Sequence, residues 1–155
     1  MTDVDPGEPR PARPDDVDAV RRIVNDAYGH YIERMGKPPG PMLDDYAKRI
    51  ADGQVWVLEA NGAVAGLVVL EDDGHGALLL DNIAVAPSAQ GQGVGRRLLI
   101  FTENEARRRG YKQVRLYTHV LMTENIALYG RIGFRETGRI TEKGFDRVYM
   151  SKSLD

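Results

Sequence analysis

The stretch from Leu78 to Arg97, LLLDNIAVAPSAQGQGVGRR, constrains this chain more than any other. It opens on Leu78-Leu79-Leu80, passes Asp81-Asn82 and continues as Ile83-Ala84-Val85. A short apolar run rich in branched residues reads as a buried strand. Pro87 cannot donate a ladder hydrogen bond, so pairing should end near it. Gln90-Gly91-Gln92-Gly93-Val94-Gly95 follows, and then a helical pattern from Val94 to Arg109. Glycine permits positive φ and lets another group approach the backbone. Placed just ahead of a helix, such a loop aims free N–H groups and the positive end of the helix dipole at one point. That is an anion site whose usual occupant is phosphate. The plain alternative is a glycine-rich turn between strand and helix.

Two familiar phosphate loops are excluded by spacing. The dinucleotide fingerprint needs glycine at position 96, where Arg96 stands. A Walker-type loop needs Gly-Lys-Ser/Thr after four intervening residues, and none is present.

With 155 residues, the chain is most simply one domain over 9–155 behind a disordered tail at 1–8. It has no cysteine, hence no disulfide framework and no thiol chemistry. A net charge of −2 argues against nucleic acid or an anionic membrane as the main partner. No apolar run approaches the roughly 20 residues that span a bilayer. The N-terminus carries acid and proline where a signal peptide has base and an apolar core, so a cytoplasmic protein is expected.

The remaining elements follow from periodicity. Pro9–Arg13 reads as a short edge strand, and Val17, Val20, Ile23, Val24 and Ala27 as a helix face ending near Tyr28. Prolines and glycines between Gly29 and Met42 preclude a long helix. Leu43, Tyr46, Ala47 and Ile50 suggest a second helix. Strands are expected over 55–60 and 63–70 about an Asn61-Gly62 hairpin, with Gly66 marking a bulge. Beyond the Leu78 strand and the glycine loop come the Val94 helix, a strand at 114–118 and a helix from Thr123 as its cap. Two last strands, 134–140 and 145–154, close the chain. Arg107-Arg108-Arg109 reads as cations in the last turn of a helix that Gly110 ends. The order is βααβββαβαββ, a layered α/β domain.

A second motif, Asn125-x-Ala127-Leu128-Tyr129-x-x-x-Gly133-Phe134, lies on the last helix. Together with Gln90, Gly93 and Gly95 behind Ile83-Ala84-Val85, it resembles the GNAT superfamily of N-acetyltransferases, in matching order from about Arg10 to Leu154. The resemblance implies an α/β (α+β) fold: a mixed, mostly antiparallel sheet of about seven strands flanked by about four helices. It implies acetyl-CoA as co-substrate and no metal. The pantetheine arm would lie along Ile83, Ala84 and Val85. The backbone of Gln90, Gly91, Gln92, Gly93, Val94, Gly95 and Arg96 would hold the pyrophosphate, and Asn125 would contact the pantetheine. Tyr129 would protonate the leaving thiolate as general acid, and the Val85 N–H would face developing negative charge. The acceptor would be a small-molecule or protein amine, contacted by Tyr31, Arg34 and Asn82. Copies in this family often pair, so a homodimer through a sheet edge is a further expectation.

The general base is not evident. Some relatives carry glutamate near the slot of Asn82, which cannot act as a base. Strict alternation aims the neighbouring Asp81 at the opposite face. His119 is a candidate, since histidine titrates near neutrality. Two other classes stay open: a non-catalytic acyl-CoA-binding sensor on the same fold, and a different nucleotide-phosphate enzyme using the same loop.

Overall fold

The computed structural model describes residues 7–154. The tail expected at 1–8 lies mostly outside these residues; Gly7 and Glu8 have no regular structure. In chain order the elements are β1 (Arg10–Pro11), α1 (Val17–Tyr28), α2 (Tyr31–Met35), α3 (Tyr46–Ala51), β2 (Val55–Ala60), β3 (Ala63–Asp72) and β4 (Leu78–Val85). Then come α4 (Val94–Arg108), β5 (Gln113–His119), α5 (Thr123–Arg131), β6 (Arg135–Glu142) and β7 (Phe145–Ser153). The strands form one sheet in the order β1-β2-β3-β4-β5-β7-β6. Every pairing is antiparallel except β4 with β5, which the α4 crossover makes parallel. Among the described residues no helix is long and apolar enough to cross a membrane.

Two apolar clusters sandwich the sheet. Val20, Ile23 and Val24 of α1 and Tyr46 and Ile50 of α3 pack against Val57, Leu67, Val69 and Ala84 on one face. Val94, Leu98 and Ala106 of α4, with Tyr129 of α5, pack against Val68, Leu78, Leu80, Leu116 and Met150 on the other. Gly66 sets the approach of α4. A Cβ there would lie 2.9 Å from Val94 Cγ1 and 3.0 Å from the Ala84 carbonyl oxygen, closer than real Cβ contacts. The expected irregularity is beside it: Leu58 pairs with Gly66 and Glu59 with Val64, leaving Ala65 extra. The hairpin at Asn61-Gly62 has positive φ at both residues, 56° and 81°, as a primed turn requires.

Three local expectations shift. A fifth helix, α2, occupies the proline-rich stretch; it is only five residues long and Gly36 ends it in the left-handed region. The helix expected from Leu43 starts at Tyr46, because Asp45 caps it by accepting the Lys48 N–H at 3.1 Å. Leu43 lies in a preceding 3₁₀ turn and is exposed. Thr123 is the first residue of α5 and Met122 occupies the cap position.

The irregularity that matters most is in β4. Val69 pairs with Asn82 and Leu70 with Leu80, so Asp81 is an extra residue without a partner on β3. A bulge bends the strand and breaks the period-2 alternation. Before it, Leu78 and Leu80 face α4; after it, Ala84 packs with α1 and α3. The expectation that Asp81 and Asn82 face opposite ways is thereby overturned. Asp81 meets Arg49 of α3 and Asn82 meets Tyr46 of the same helix.

Candidate active site

The parallel pairing of β4 with β5 spans only Leu78–Leu80 against Val114–Leu116. It stops where the bulge begins, and beyond it the strands separate. The Ala86 N–H bonds the Ala65 carbonyl at 2.8 Å, which fixes the phase of the antiparallel ladder. In that phase the N–H and C=O groups of Ile83 and Val85 point away from β3, towards the gap. A cleft of about 740 Å³ opens there. Its lining includes Ile83, Ala84, Val85, Gln90, Gly95, Arg96, Asn125 and Tyr129.

One end of this cleft is the glycine loop. Gly91 and Gly93 both have φ +81°, a conformation that L side chains rarely adopt. Gly93 caps α4 without any side-chain hydrogen bond. The first N–H groups of α4 therefore have no intrahelical acceptor and present a positive field. Gly95 is helical, and a Cβ there would meet only Val85 Cγ2 at 3.6 Å. Val94 contributes its backbone alone, since its side chain is core. Gln92 turns back to the Ser88 carbonyl at 3.3 Å. The lining also includes Glu103 of α4 and Lys152 of β7, paired at 3.2 Å.

A second cavity is lined by the Leu80–Ile83 stretch of β4. Its lining includes Asp81, Asn82, Tyr117, His119, Phe145 and Arg147, roofed by Met35 and the Pro39–Pro41 segment. Tyr28, Ile83, Asn125 and Tyr129 line both cavities, so the two meet at Tyr129. The Tyr129 ring packs against Phe134 at 5.8 Å between centroids. Its hydroxyl has no hydrogen-bond partner among the described residues. Burial pushes its pKa up to about 12, so it stays protonated through the neutral range.

Asp81 is 10% exposed at its side chain. Its oxygens accept from the Tyr117 hydroxyl at 2.8 Å and from Arg49 at 3.2 Å. Burial outweighs both and raises its pKa above the ordinary carboxylate value. Asn82 is held at both ends: its amide nitrogen donates to Tyr46 at 2.9 Å and its oxygen accepts from Tyr28 at 2.8 Å. It thus braces β4 against α1 and α3. The Tyr28 hydroxyl is also 3.1 Å from the Ile83 carbonyl.

His119 lies in the second cavity with its pKa lowered by burial. Its Nδ1 accepts the Leu121 N–H at 3.1 Å. With the ring assigned in that orientation, the neutral imidazole carries its proton on Nε2 and offers a donor rather than a free lone pair. Tyr31 lines the first cleft, stacked by His30 at 3.9 Å. Arg34 turns away from both cavities and pairs with Glu124 at 2.6 Å and the Leu121 carbonyl at 3.0 Å, tying α2 to α5. Tyr28, Asp81 and Arg147 are site residues that the sequence does not single out. For Asp81 the misleading signal is alternation, and for the other two only long-range packing supplies one.

An open-edged strand gap ending on a glycine-capped helix is thus joined to a second cavity at a buried tyrosine. The GNAT acetyltransferase domain family model matches residues 51–136, and the chain belongs to that family. It is 29% identical over 140 residues to an IAA acetyltransferase of Azospirillum brasilense, covering 88% of this chain and 92% of that protein. It is 34% identical over 97 residues to the mouse probable N-acetyltransferase family 8 member 5, covering 59% of this chain and 43% of that protein. The chain thus spans less than half the length of that mouse relative. A Salmonella typhimurium structure described as an acetyltransferase with its cofactor acetyl-CoA superposes with a TM-score of 0.72 at 26% identity, covering 98% of this chain and 95% of that one.

Proposed function

We propose that this protein is an N-acetyltransferase that moves the acetyl group of acetyl-CoA onto a primary amine by direct attack. The observation that carries the proposal is the meeting of two cavities at Tyr129, one lined by the free backbone edge of β4 and the other by Asp81. The residues present fit coenzyme A. The Ile83 and Val85 edge suits the amides of pantetheine, and the N-terminus of α4 with Arg96 suits the pyrophosphate. Asn125 lies where the two cavities join. Bound in this cleft, acetyl-CoA supplies an activated acetyl thioester.

In this reading Asp81 binds the acceptor ammonium and takes its proton, directly or through one water. A raised pKa suits a carboxylate for that task better than an ordinary one. His119 donates from Nε2 and orients the acceptor. The Tyr129 hydroxyl delivers its proton to the departing sulfur, and the Val85 N–H faces the carbonyl oxygen. Holding amine and thioester in line accounts for most of the acceleration. A non-catalytic acyl-CoA sensor is not favoured, because it has no use for a carboxylate-bearing cavity behind the thioester position. The same proposal takes residues 9–155 as the working unit, in the cytoplasm, with pairing of two copies across an exposed sheet edge.

The test is release of CoA thiol with a panel of primary amines. Release with at least one amine, abolished in Asp81→Asn, supports the reading. Tight binding of acetyl-CoA with no release across the panel would favour the sensor instead.

A further inference from the structure

The acceptor cavity has two oppositely charged ends, and acetyl transfer by itself needs only one. At the negative end a single Arg49 guanidinium is shared by Asp44, Glu71 and Asp81, at 3.0, 3.0 and 3.2 Å. Three carboxylates around one cation leave a surplus of negative charge, and Asp81 is the member that lines the cavity. A small ammonium satisfies that surplus.

At the positive end stands Arg147 of β7, 13% exposed at its side chain. Its guanidinium lies 4.2 Å from the Tyr117 ring centroid and 5.9 Å from that of Phe145. Glu142 accepts from Nη1 at 2.8 Å. Gly40 stands beside Nη2, where a Cβ would make an ordinary contact at 3.8 Å. A guanidinium has five donors in a fork suited to carboxylate. Two more nitrogen groups surround the same phenylalanine: Lys37 Nζ at 4.3 Å from the Phe145 centroid and the His119 ring at 6.2 Å, edge-on. One side chain spans the two ends, because Tyr117 donates its hydroxyl to Asp81 and carries Arg147 on its ring face. Met35, Pro39, Pro41 and Met122 line the space apolarly.

From this arrangement we infer that the acceptor is a small amine bearing a carboxylate a few bonds from its nitrogen, an amino acid with an apolar side chain. The ammonium sits on Asp81 and the carboxylate on Arg147. The inference rests on the acetyltransferase reading above. A polyamine would set a second cation against Arg147, where like charges repel. A peptide N-terminus has an amide in place of the carboxylate and offers the guanidinium no second charged acceptor beside Glu142.

The experiment compares kcat/KM for leucine, leucinamide, isopentylamine and spermidine, each corrected to its free-amine concentration. Leucine should exceed leucinamide and isopentylamine by about 10²-fold, the discrimination expected of a site built around a charged hydrogen-bond partner. Arg147→Met should erase that preference by raising KM for leucine far more than KM for leucinamide, and Arg147→Lys should keep part of it. Should Arg147→Met fail to fold, the wild-type panel and Arg147→Lys still decide. Equal use of leucinamide or isopentylamine, or a preference for spermidine, overturns this inference and leaves acetyl transfer standing. No turnover with any amine, while acetyl-CoA still binds, overturns the acetyltransferase reading beneath it.

Discussion

Tyr129 and Asp81 are residues whose roles can be separated from their structural worth. Tyr129→Phe keeps the ring that packs on Phe134 and removes a hydroxyl with no protein partner among the described residues. Its unfolding free energy should stay within about 0.5 kcal/mol of wild type, while kcat falls about 10²- to 10⁴-fold with little change in CoA binding. Full turnover under conditions where chemistry is limiting would remove the general-acid role. Asp81→Asn makes a sharper pair. Burial raises the folded-state pKa of Asp81, so the proton is held more tightly in the folded than in the unfolded chain. Stability from this group is present below the unfolded carboxylate pKa and is lost as pH rises through the folded one. Asparagine keeps one acceptor oxygen for Arg49, turns its amide nitrogen as a donor to the Tyr117 hydroxyl oxygen, and carries no charge. Asp81→Asn should therefore melt at or above the wild-type temperature at pH 8, with the gap closing below the carboxylate range near about pH 4. The same variant should lose about 10²-fold or more in kcat. A variant that melts well below wild type at pH 8 would show that the ion pair with Arg49 outweighs the burial.

Among the elements, the α4 N-terminus and the β4 bulge set the cofactor cleft. Gly93 has φ +81°, and a Cβ added there would have nothing within 4 Å, so the penalty for alanine is conformational. Gly93→Ala should cost about 1 kcal/mol of stability, since an L side chain disfavours that region. It should also weaken CoA binding more than it weakens folding, because the strain is relieved by rotating the N–H groups that face the cleft. Calorimetric titration of CoA beside denaturant unfolding separates the two; equal losses in both would mean the loop does not hold the phosphates. The bulge at Asp81 acts in the same element-level way. It ends the β4–β5 pairing and frees the edge of Ile83 and Val85, so a strand one residue shorter at this point would keep pairing with β5 and close the gap.

Across the whole molecule, binding couples to stability. A ligand that fits the cleft stabilises the folded chain by mass action, about 2.7 kcal/mol at 100 times its dissociation constant. Thermal unfolding at equal concentrations should therefore show a shift with acetyl-CoA and CoA and none with ATP–Mg²⁺ or NAD. A shift with either of the latter alone would mean that the glycine loop serves another phosphate.

Much of the architecture was legible along the chain because it depends on local chemistry. Asn61-Gly62 sets a hairpin through its own φ angles, and Gly91 and Gly93 adopt φ values that other residues resist. The glycine loop with the Asn125 to Phe134 segment was enough to reach the family. The acceptor site was another matter. Asp81 reaches it only because β3 pairs with β4 one residue out of step, and alternation read along one strand cannot register an extra residue in a pair. Arg34, an expected substrate contact, is instead held by Glu124, 90 positions away. Arg147 and Tyr28 enter the site from opposite ends of the chain. The sequence by itself determined most of the elements, their order and the glycine loop, each fixed by torsional preference and apolar period over a few residues. Only the tertiary structure decided which charges face one another across the acceptor cavity, because that depends on strand register and on side chains brought together from distant segments.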